Sequence, residues 1–316
     1  MFCYADLCRH AAAFPDLTGV TRAEFDTLAG RVEQAEAVRR ADSPTTRRTG
    51  QPRRHATGAG HPFAHDVRTR LVMALVWLRV YPTYAVLGFF FDLHKRNAQL
   101  NVRAILDILD GLDEFPFDRP TRDRTKLRSA AAVMAAFPTV RILIDGKEQR
   151  VNRPTGYEAQ KPYYSGKKKC HTVKNQVVID PSGRIEAISG SVPGGANHDL
   201  TILRASKILD ALDGGVGAMM DKGYIGIQTD YPDVPLILPL KARRNHPLTD
   251  EQRSANRVIA QHRIVVEHTM AQLNRFHVLR QVFRGQQRPR HSGVIRVVAH
   301  LVNQRVAVVP LKTYAA

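Results

Sequence analysis

Two short apolar runs in this chain end alike, on an aspartate with a glycine close behind it: Val140-Arg-Ile-Leu-Ile-Asp145-Gly146 and Gly217-Ala-Met-Met-Asp221-Lys-Gly223. An apolar run of roughly four to eight residues bounded by turn residues reads as a buried strand. An acid as its last residue projects from the strand's carboxyl end. Between the two runs, Thr172 to Ile179 (TVKNQVVI) and Arg184 to Ser189 (RIEAIS) flank Asp180-Pro-Ser-Gly183, a strong hairpin turn. A helix is expected from about Asp199 (DLTILRASKILDAL), and Leu236-Ile-Leu-Pro-Leu reads as a fifth strand. From Asp250 to Phe276 the pattern is helical, with Arg263, Glu267 and Asn274 at i, i+4 and i+11 on one stripe. The order strand, hairpin, helix, strand, strand, helix predicts an α/β domain over 129–316, a mixed sheet flanked by helices.

Two strands thus end in acids, Asp145 and Asp221, and the long helix carries a third carboxylate, Glu267. A lone acid at a strand end is ordinarily just solvated. Three in this order on these elements fit an RNase H-like nuclease core. Phosphodiester chemistry there uses two divalent metals ~3.5–4 Å apart, one activating the attacking oxygen and one stabilising the leaving oxygen. Hard Mg²⁺ takes few oxygen ligands from protein, the rest from water and phosphate. Asp145, Asp221 and Glu267 are therefore the expected catalytic residues and metal ligands for two Mg²⁺ ions, with Mn²⁺ as an alternative. Asp199, after Pro193-Gly-Gly-Ala-Asn-His198, reads either as a helix N-cap with an accessory role or as a further ligand. His198 beside it is an accessory candidate.

The first half of the chain is different in kind. Thr21 to Glu24 forms a capping box ahead of Phe25, Leu28 and Val32, so residues 1–38 read as a helical segment. The stretch 39–61 (RRADSPTTRRTGQPRRHATGAGH) has almost nothing to bury and reads as a basic linker. Over 62–128 the pattern is helix, turn at Tyr81-Pro82-Thr83, helix, turn near His94, helix. Leu71, Ala74, Leu75 and Leu78 share one face, and Leu87, Phe90 and Phe91 pack the second helix. Asn97, Gln99, Asn101 and Arg103 on or before the third helix suit base-edge and phosphate contacts in a major groove, as in a helix-turn-helix. An ordinary small helical bundle gives the same pattern. A polar stretch, Phe117 to Arg128, closes this region.

Charge points to a partner. Lys and Arg total 47 against 29 Asp and Glu, a net charge of +18. That favours a polyanion. No run reaches the ~18 apolar residues of a membrane span, and no signal peptide is recognisable. Nucleic acid in the cytoplasm is the expected partner, and no membrane. Three cysteines, Cys3, Cys8 and Cys170, make neither a disulfide framework nor, with His10, a four-ligand zinc set. Lys161-Pro-Tyr-Tyr-Ser-Gly-Lys167-Lys168-Lys169-Cys-His171 mixes cations with rings, which suits a surface tracking a DNA backbone. The plainer reading is a solvated strand edge. Lys241, Arg243 and Arg244 extend the positive charge.

With these motifs in order, the chain resembles bacterial insertion-sequence transposases of the DDE superfamily, in the branch related to Harbinger transposases. The matching stretches are Ile144-Asp-Gly146, Tyr163 to His171, Val178-Ile-Asp-Pro-Ser-Gly183, Pro193 to Asp199, Asp221-Lys-Gly-Tyr224 and Arg263-Ile-Val-Val-Glu267. The resemblance implies Asp145, Asp221 and Glu267 as catalytic acids and Arg263 as the residue that orients a carboxylate or holds a phosphate. Ala260 and Asn274 depart from it, standing where a tyrosine and a lysine are common. The implied activity is cleavage of element ends and transfer of the 3′-hydroxyl strand to target DNA, by a dimer or larger assembly on terminal inverted repeats. Two alternatives stay open on the sequence: a transposase-derived DNA-binding protein without activity, and a plain metal-dependent endonuclease.

Overall fold

The computed structural model describes residues 2–41, 63–112, 133, 135–211, 216–242, 244, 246–285 and 288–308. It falls into two compact units, Met1–Pro116 with Phe276–Val278, and Phe117–Arg275 with Leu279–Ala316. The polar stretch 117–128, Arg243 and nearly all of the basic linker lie outside the described residues. No helix among the described residues is long and apolar enough to cross a membrane.

The first unit is all helical: α1 (Tyr4–Cys8), α2 (Ala13–Thr18), α3 (Arg22–Ala41), α4 (Val67–Val80), α5 (Tyr84–Phe90) and α6 (Lys95–Asp110). The capping box forms as expected, Thr21 N–H donating to Glu24 Oε2 at 2.6 Å and Glu24 N–H to Thr21 Oγ1 at 3.3 Å. Helix α3 runs to Ala41, into the segment expected to be linker. It buries Phe25, Leu28, Ala29 and Val32 along one stripe. Arg68 bridges α4 to Asp26 and Glu33 at 2.9 and 3.1 Å, and the buried Arg70 reaches Glu36 at 2.7 Å. Residues 2–41 pack with the later helices in one unit.

The turns fall where the sequence puts them. Asp66 caps α4 by accepting from Thr69 N–H at 2.8 Å, and Tyr81 ends it in the left-handed region at φ 57°. Thr83 caps α5 and His94 Nδ1 accepts from Arg96 N–H at 3.3 Å to start α6. Two expectations need correction. Phe90 is exposed, so only Leu87 and Phe91 of the expected trio are packed inside. Asn101 is buried and donates its amide to the Asn97 carbonyl at 2.8 Å, so it serves the bundle and has no face for DNA. A short amide side chain reaches the carbonyl one helical turn before it.

The second unit is built on a mixed sheet. Its strands are β1 (Val140–Arg150), β2 (Tyr164–Ser165), β3 (Cys170–Ile179), β4 (Ile185–Ile188), β5 (Val192–Pro193), β6 (Gly217–Met219) and β7 (Leu236–Ile237). Strand β3 runs antiparallel to β1, and its other edge is covered by β2, β5 and β4. On the far side of β1 the pairing is parallel, first β6 and then β7. The hairpin turn forms as expected, closed by Asp180 N–H to Arg184 O at 2.9 Å with Gly183 at φ 84°. Helices α7 (Asp199–Ser206), α8 (Asp250–Asn274) and α9 (Arg288–Val308) flank the sheet.

Side chains alternate along β1 and so sort between two faces. Ile144 packs with Val178, Leu203, Leu209, Met220 and Tyr224 on the α7 side. The opposite face carries Asp145, which meets Arg263 of α8, and Lys147, which meets Asn274 of the same helix. Strand β1 continues to Arg150, five residues beyond the acid expected to end it. The apolar pattern stops at Asp145 because the chain's environment becomes polar there, while the β3 ladder continues from Asp145↔Val177 to Arg150↔Thr172. What does stop is β6. Its register with β1 ends at Leu143↔Met219, so beyond that point β1 has lost its parallel neighbour and the sheet is notched.

Candidate active site

The notch holds the acids. Asp145 is the second β1 residue past the end of the β6 ladder, and Asp221 is the second residue past β6 itself. Asp221 turns back to cap a short 3₁₀ turn, its Oδ1 accepting from Gly223 N–H at 2.7 Å. Asp145 Oδ1 accepts from the Gly146 N–H at 2.7 Å, and its Oδ2 lies 3.3 Å from Arg263 Nη2. These bonds fix one oxygen of each carboxylate against backbone and, for Asp145, the other against a cation.

Asp199 enters from the α7 side. His198, with extended backbone, is the N-cap of α7, and Asp199 is the first helical residue, so the cap reading of Asp199 does not hold. Its carboxylate is lodged between the two glycines that follow the other acids. A Cβ on Gly146 would come 2.9 Å from Asp199 Oδ1, and one on Gly223 3.3 Å from Asp199 Oδ2. Lys174 of β3 pairs with Asp199 Oδ1 at 3.3 Å, and Gln176 donates to the Asp199 carbonyl at 2.9 Å. The acid-glycine endings thus have a steric reason: Gly146 leaves room for Asp199, and Gly223 leaves room first for Asp221 Oδ1, at 2.9 Å, and then for Asp199.

The electrostatics carry the mark of this crowding. Burial pushes the Asp145 carboxyl up from its ordinary value and the charges of Asp221 and Asp199 push it further, while Arg263 and the Gly146 N–H pull it down. Tyr224, buried behind the turn, has its hydroxyl pushed far up by burial first and then by Asp199, Asp145 and Asp221. Only carboxylates close to one another and to that ring act on it together. Glu267 is placed differently. It is exposed on α8, one turn after Arg263 and one before Met270, on the stripe that Arg263, Met270 and Asn274 turn toward β1, and it is not part of the cleft wall. Among the described residues, no three acids, histidines or cysteines converge closely enough to enclose one ion.

Around the acids opens a cleft of about 660 Å³, walled by β1 from Asp145 to Arg150, the β2–β3 turn, the Gly194-Gly195 segment and the end of α8. Of the lysines expected to meet DNA, Lys167 and Lys168 line it. Lys169, at φ 54°, and Lys161 are exposed but outside its wall. Tyr164 presents a half-exposed ring at the same hairpin, edge-on to His171 at 5.6 Å. His198 also lines the cleft. Four cations there escaped the sequence reading: Lys147, Arg150, Lys174 and Arg280. The period of two along β1 could have found Lys147, which stands on the same face as Asp145. It is buried, donates to Asn274 Oδ1 at 2.6 Å, and burial pulls its ammonium down to about 8. Asn274, one of the two departures from the family pattern, thus holds the cation that β1 supplies.

In the helical unit, Asn97 is exposed at the start of α6, beside Lys95 and Arg96. Gln99 is half-buried and accepts from Arg96 Nη1 at 3.2 Å, and Arg103 is half-buried further along the helix.

The chain is similar to known proteins. A probable transposase for insertion sequence element IS702 from Microchaete diplosiphon is 26% identical over 243 residues, 76% of this chain and 81% of that protein. No match was found among solved structures. The family model for DDE superfamily endonucleases matches residues 144–303, which begin one residue before Asp145 and take in Asp199, Asp221 and Glu267. With half of its length matched in this way, the chain belongs to the DDE endonuclease superfamily and is similar to insertion-sequence transposases.

Proposed function

We propose that the protein is a DNA transposase that nicks the ends of its own element and joins the freed 3′-hydroxyl to target DNA, on an RNase H-like core. The observation that carries this reading is the convergence of Asp145 and Asp221 at a sheet notch whose walls bear Lys167 and Lys168. Carboxylates alone would repel a phosphodiester; carboxylates ringed by lysines accept one once a divalent cation is present.

The donor set fits such a cation. Among the described residues the cleft offers mainly carboxylate oxygens, with His198 its one imidazole and no thiolate in its wall, which suits a hard ion, and the crowding that raises Asp145 is relieved by positive charge. Asp145, Asp221 and Glu267 would hold two Mg²⁺ ions, with Mn²⁺ able to replace them. The metals would supply a more acidic attacking oxygen and charge stabilisation at the leaving one. Arg263 and the Gly146 and Gly223 N–H groups orient Asp145 and Asp221, and Lys174 neutralises Asp199, which serves as a positioning acid. Glu267, exposed on α8 and outside the cleft wall, would have to turn its side chain toward the cleft to complete the set. Lys167 and Lys168 meet the DNA backbone, and the Tyr164 ring offers a face to a base.

The helical unit supports a helix-turn-helix role. Its α6 presents Lys95, Arg96 and Asn97 in the first turn, where a recognition helix meets base edges. It would bind the terminal inverted repeats, and two ends held together imply a dimer or larger assembly.

The test is metal-dependent cleavage and joining of a labelled duplex carrying the element's end. Wild type should cut and join. Asp221→Ala and Glu267→Ala should each lose at least ~10³-fold, while Asp199→Ala should retain measurable activity. Cleavage without joining would make the protein a plain endonuclease, and binding without cleavage would reduce it to a DNA-binding protein. Loss in Asp199→Ala with retention in Glu267→Ala would move the third acid to Asp199.

A further inference from the structure

A cation without a counter-ion lies in the cleft wall. Lys147 is 7% exposed, and its single hydrogen bond among the described residues is to a neutral group, Asn274 Oδ1 at 2.6 Å. No carboxylate among the described residues lies within ion-pair distance of it. Asp145 pairs with Arg263 at 3.3 Å, Asp199 with Lys174 at 3.3 Å, and Glu148, on the opposite face of β1, accepts from the Thr172 hydroxyl at 2.6 Å. An ammonium carries three donors, so two are left over, on a side chain that lines the cleft. Burying a charge is unfavourable unless something pairs it, and folding alone gives this lysine no such partner.

We infer that Lys147, held upright by Asn274, is the seat for a backbone phosphate of the DNA strand that occupies the cleft, one contact inward from the lysines of the β2–β3 turn. This rests on the transposase reading above and adds to it a residue outside the acid set. The placement follows from strand geometry. Residues 145 and 147 share one face of β1, about 7 Å apart along the strand, close to the spacing of successive phosphates on a nucleic-acid strand. A phosphodiester at the acids therefore brings a neighbouring one to the ammonium. Lys167, Lys168, Arg150 and Arg280 line the same cleft.

The test uses the full chain and a short fluorescein-labelled duplex, with affinity followed by anisotropy across roughly 50–200 mM NaCl. Each phosphate contact adds about 0.9 to the slope of log K against log salt, so Lys147→Met should lower the slope by about that amount. Lys147→Arg, which keeps the charge, should retain it, and Lys147→Gln serves in place of the methionine variant if that one does not fold. A second readout separates a structural role from a binding one. Removing an uncompensated buried charge leaves the melting temperature unchanged or raised, whereas removing a structural tie lowers it. An unchanged slope in a folded Lys147→Met or Lys147→Gln protein would overturn the inference while the transposase reading stands. A wild-type protein whose binding to DNA lacks any salt slope would instead remove the reading beneath it. The double variant Lys167→Gln/Lys168→Gln marks the difference, because its slope should fall whether or not Lys147 touches DNA.

Discussion

A methyl group at position 146 would meet Asp199 Oδ1 at 2.9 Å and its carboxyl carbon at 3.2 Å. The obstacle is the end of a side chain, so the fold can yield to it by moving that carboxylate. The geometry of the acids then suffers. A displacement near 1 Å costs about 10²-fold in an oriented reaction, so Gly146→Ala should lose about that much cleavage activity while its melting temperature stays within a few degrees of wild type. Equal losses in activity and stability would show that Gly146 serves the core. At this scale the sequence shows the two acid-glycine endings but not what the glycines do. Asp145-Gly146 and Asp221-x-Gly223 stood out as endings, but that the glycines make room for Asp199 depends on a helix arriving from elsewhere in the chain. Of the readings the sequence leaves open for Asp199, the cap falls because the N-cap is its neighbour His198.

Among the elements, α8 carries the most responsibility per hydrogen bond. It is 25 residues long, and its N-terminus is closed by a capping box in which Thr249 Oγ1 accepts from Gln252 N–H at 3.3 Å and Gln252 Oε1 accepts from Thr249 N–H at 3.1 Å. The helix buries Ile259, Val265, Val266 and Leu273 and delivers Arg263 to Asp145. Thr249→Ala should cost about 1 kcal/mol in urea unfolding, the usual worth of a cap. Cleavage should be little affected, since Arg263 lies several turns away. The periodicity of α8 and the hairpin were legible because each is set by local pattern. The length of β1 was not. Its last residues, Gly146 to Arg150, are polar or glycine, and only the ladder with β3 shows that they remain strand. Nor could two-residue strands such as β2 and β5 be read, since pairing with β3 alone defines them.

For the whole molecule the revealing group is His291. It is buried, its Nδ1 takes the Ser191 hydroxyl at 2.7 Å, and its Nε2 donates to Gln149 Oε1 at 2.9 Å. Burial, with the Lys147 charge nearby, pulls its pKa from about 6.5 to about 4. The folded state then resists a proton that the unfolded chain takes up. Stability from this residue is complete above pH 6.5 and is lost as pH falls from there toward 4, by on the order of 3 kcal/mol. Urea midpoints taken across that window should drop for wild type and drop less for His291→Gln. Equal drops would assign the acid sensitivity to other groups. Composition had announced a basic protein with a polyanionic partner, and the lysine-lined cleft accords with that. What composition could not announce is that part of this charge is buried, because burial is a property of the finished packing.

The notch in the sheet has a cost of another kind. Where β6 stops at Met219, the outer edge of β1 from Ile144 to Gln149 has no strand beside it among the described residues. An unpaired edge in the middle of a sheet invites any extended peptide to zip onto it, a second chain included. The edge has to stay open if a DNA strand is to lie along it, so backbone cannot cover it. Charge does the guarding. Asp145 and Lys147 on one face, Glu148 and Arg150 beside them and the lysines opposite make this segment a poor template for β-strand addition. The residues proposed to handle DNA thus double as gatekeepers of solubility, and a variant that neutralises several of them at once would be in danger of self-association before it lost its fold.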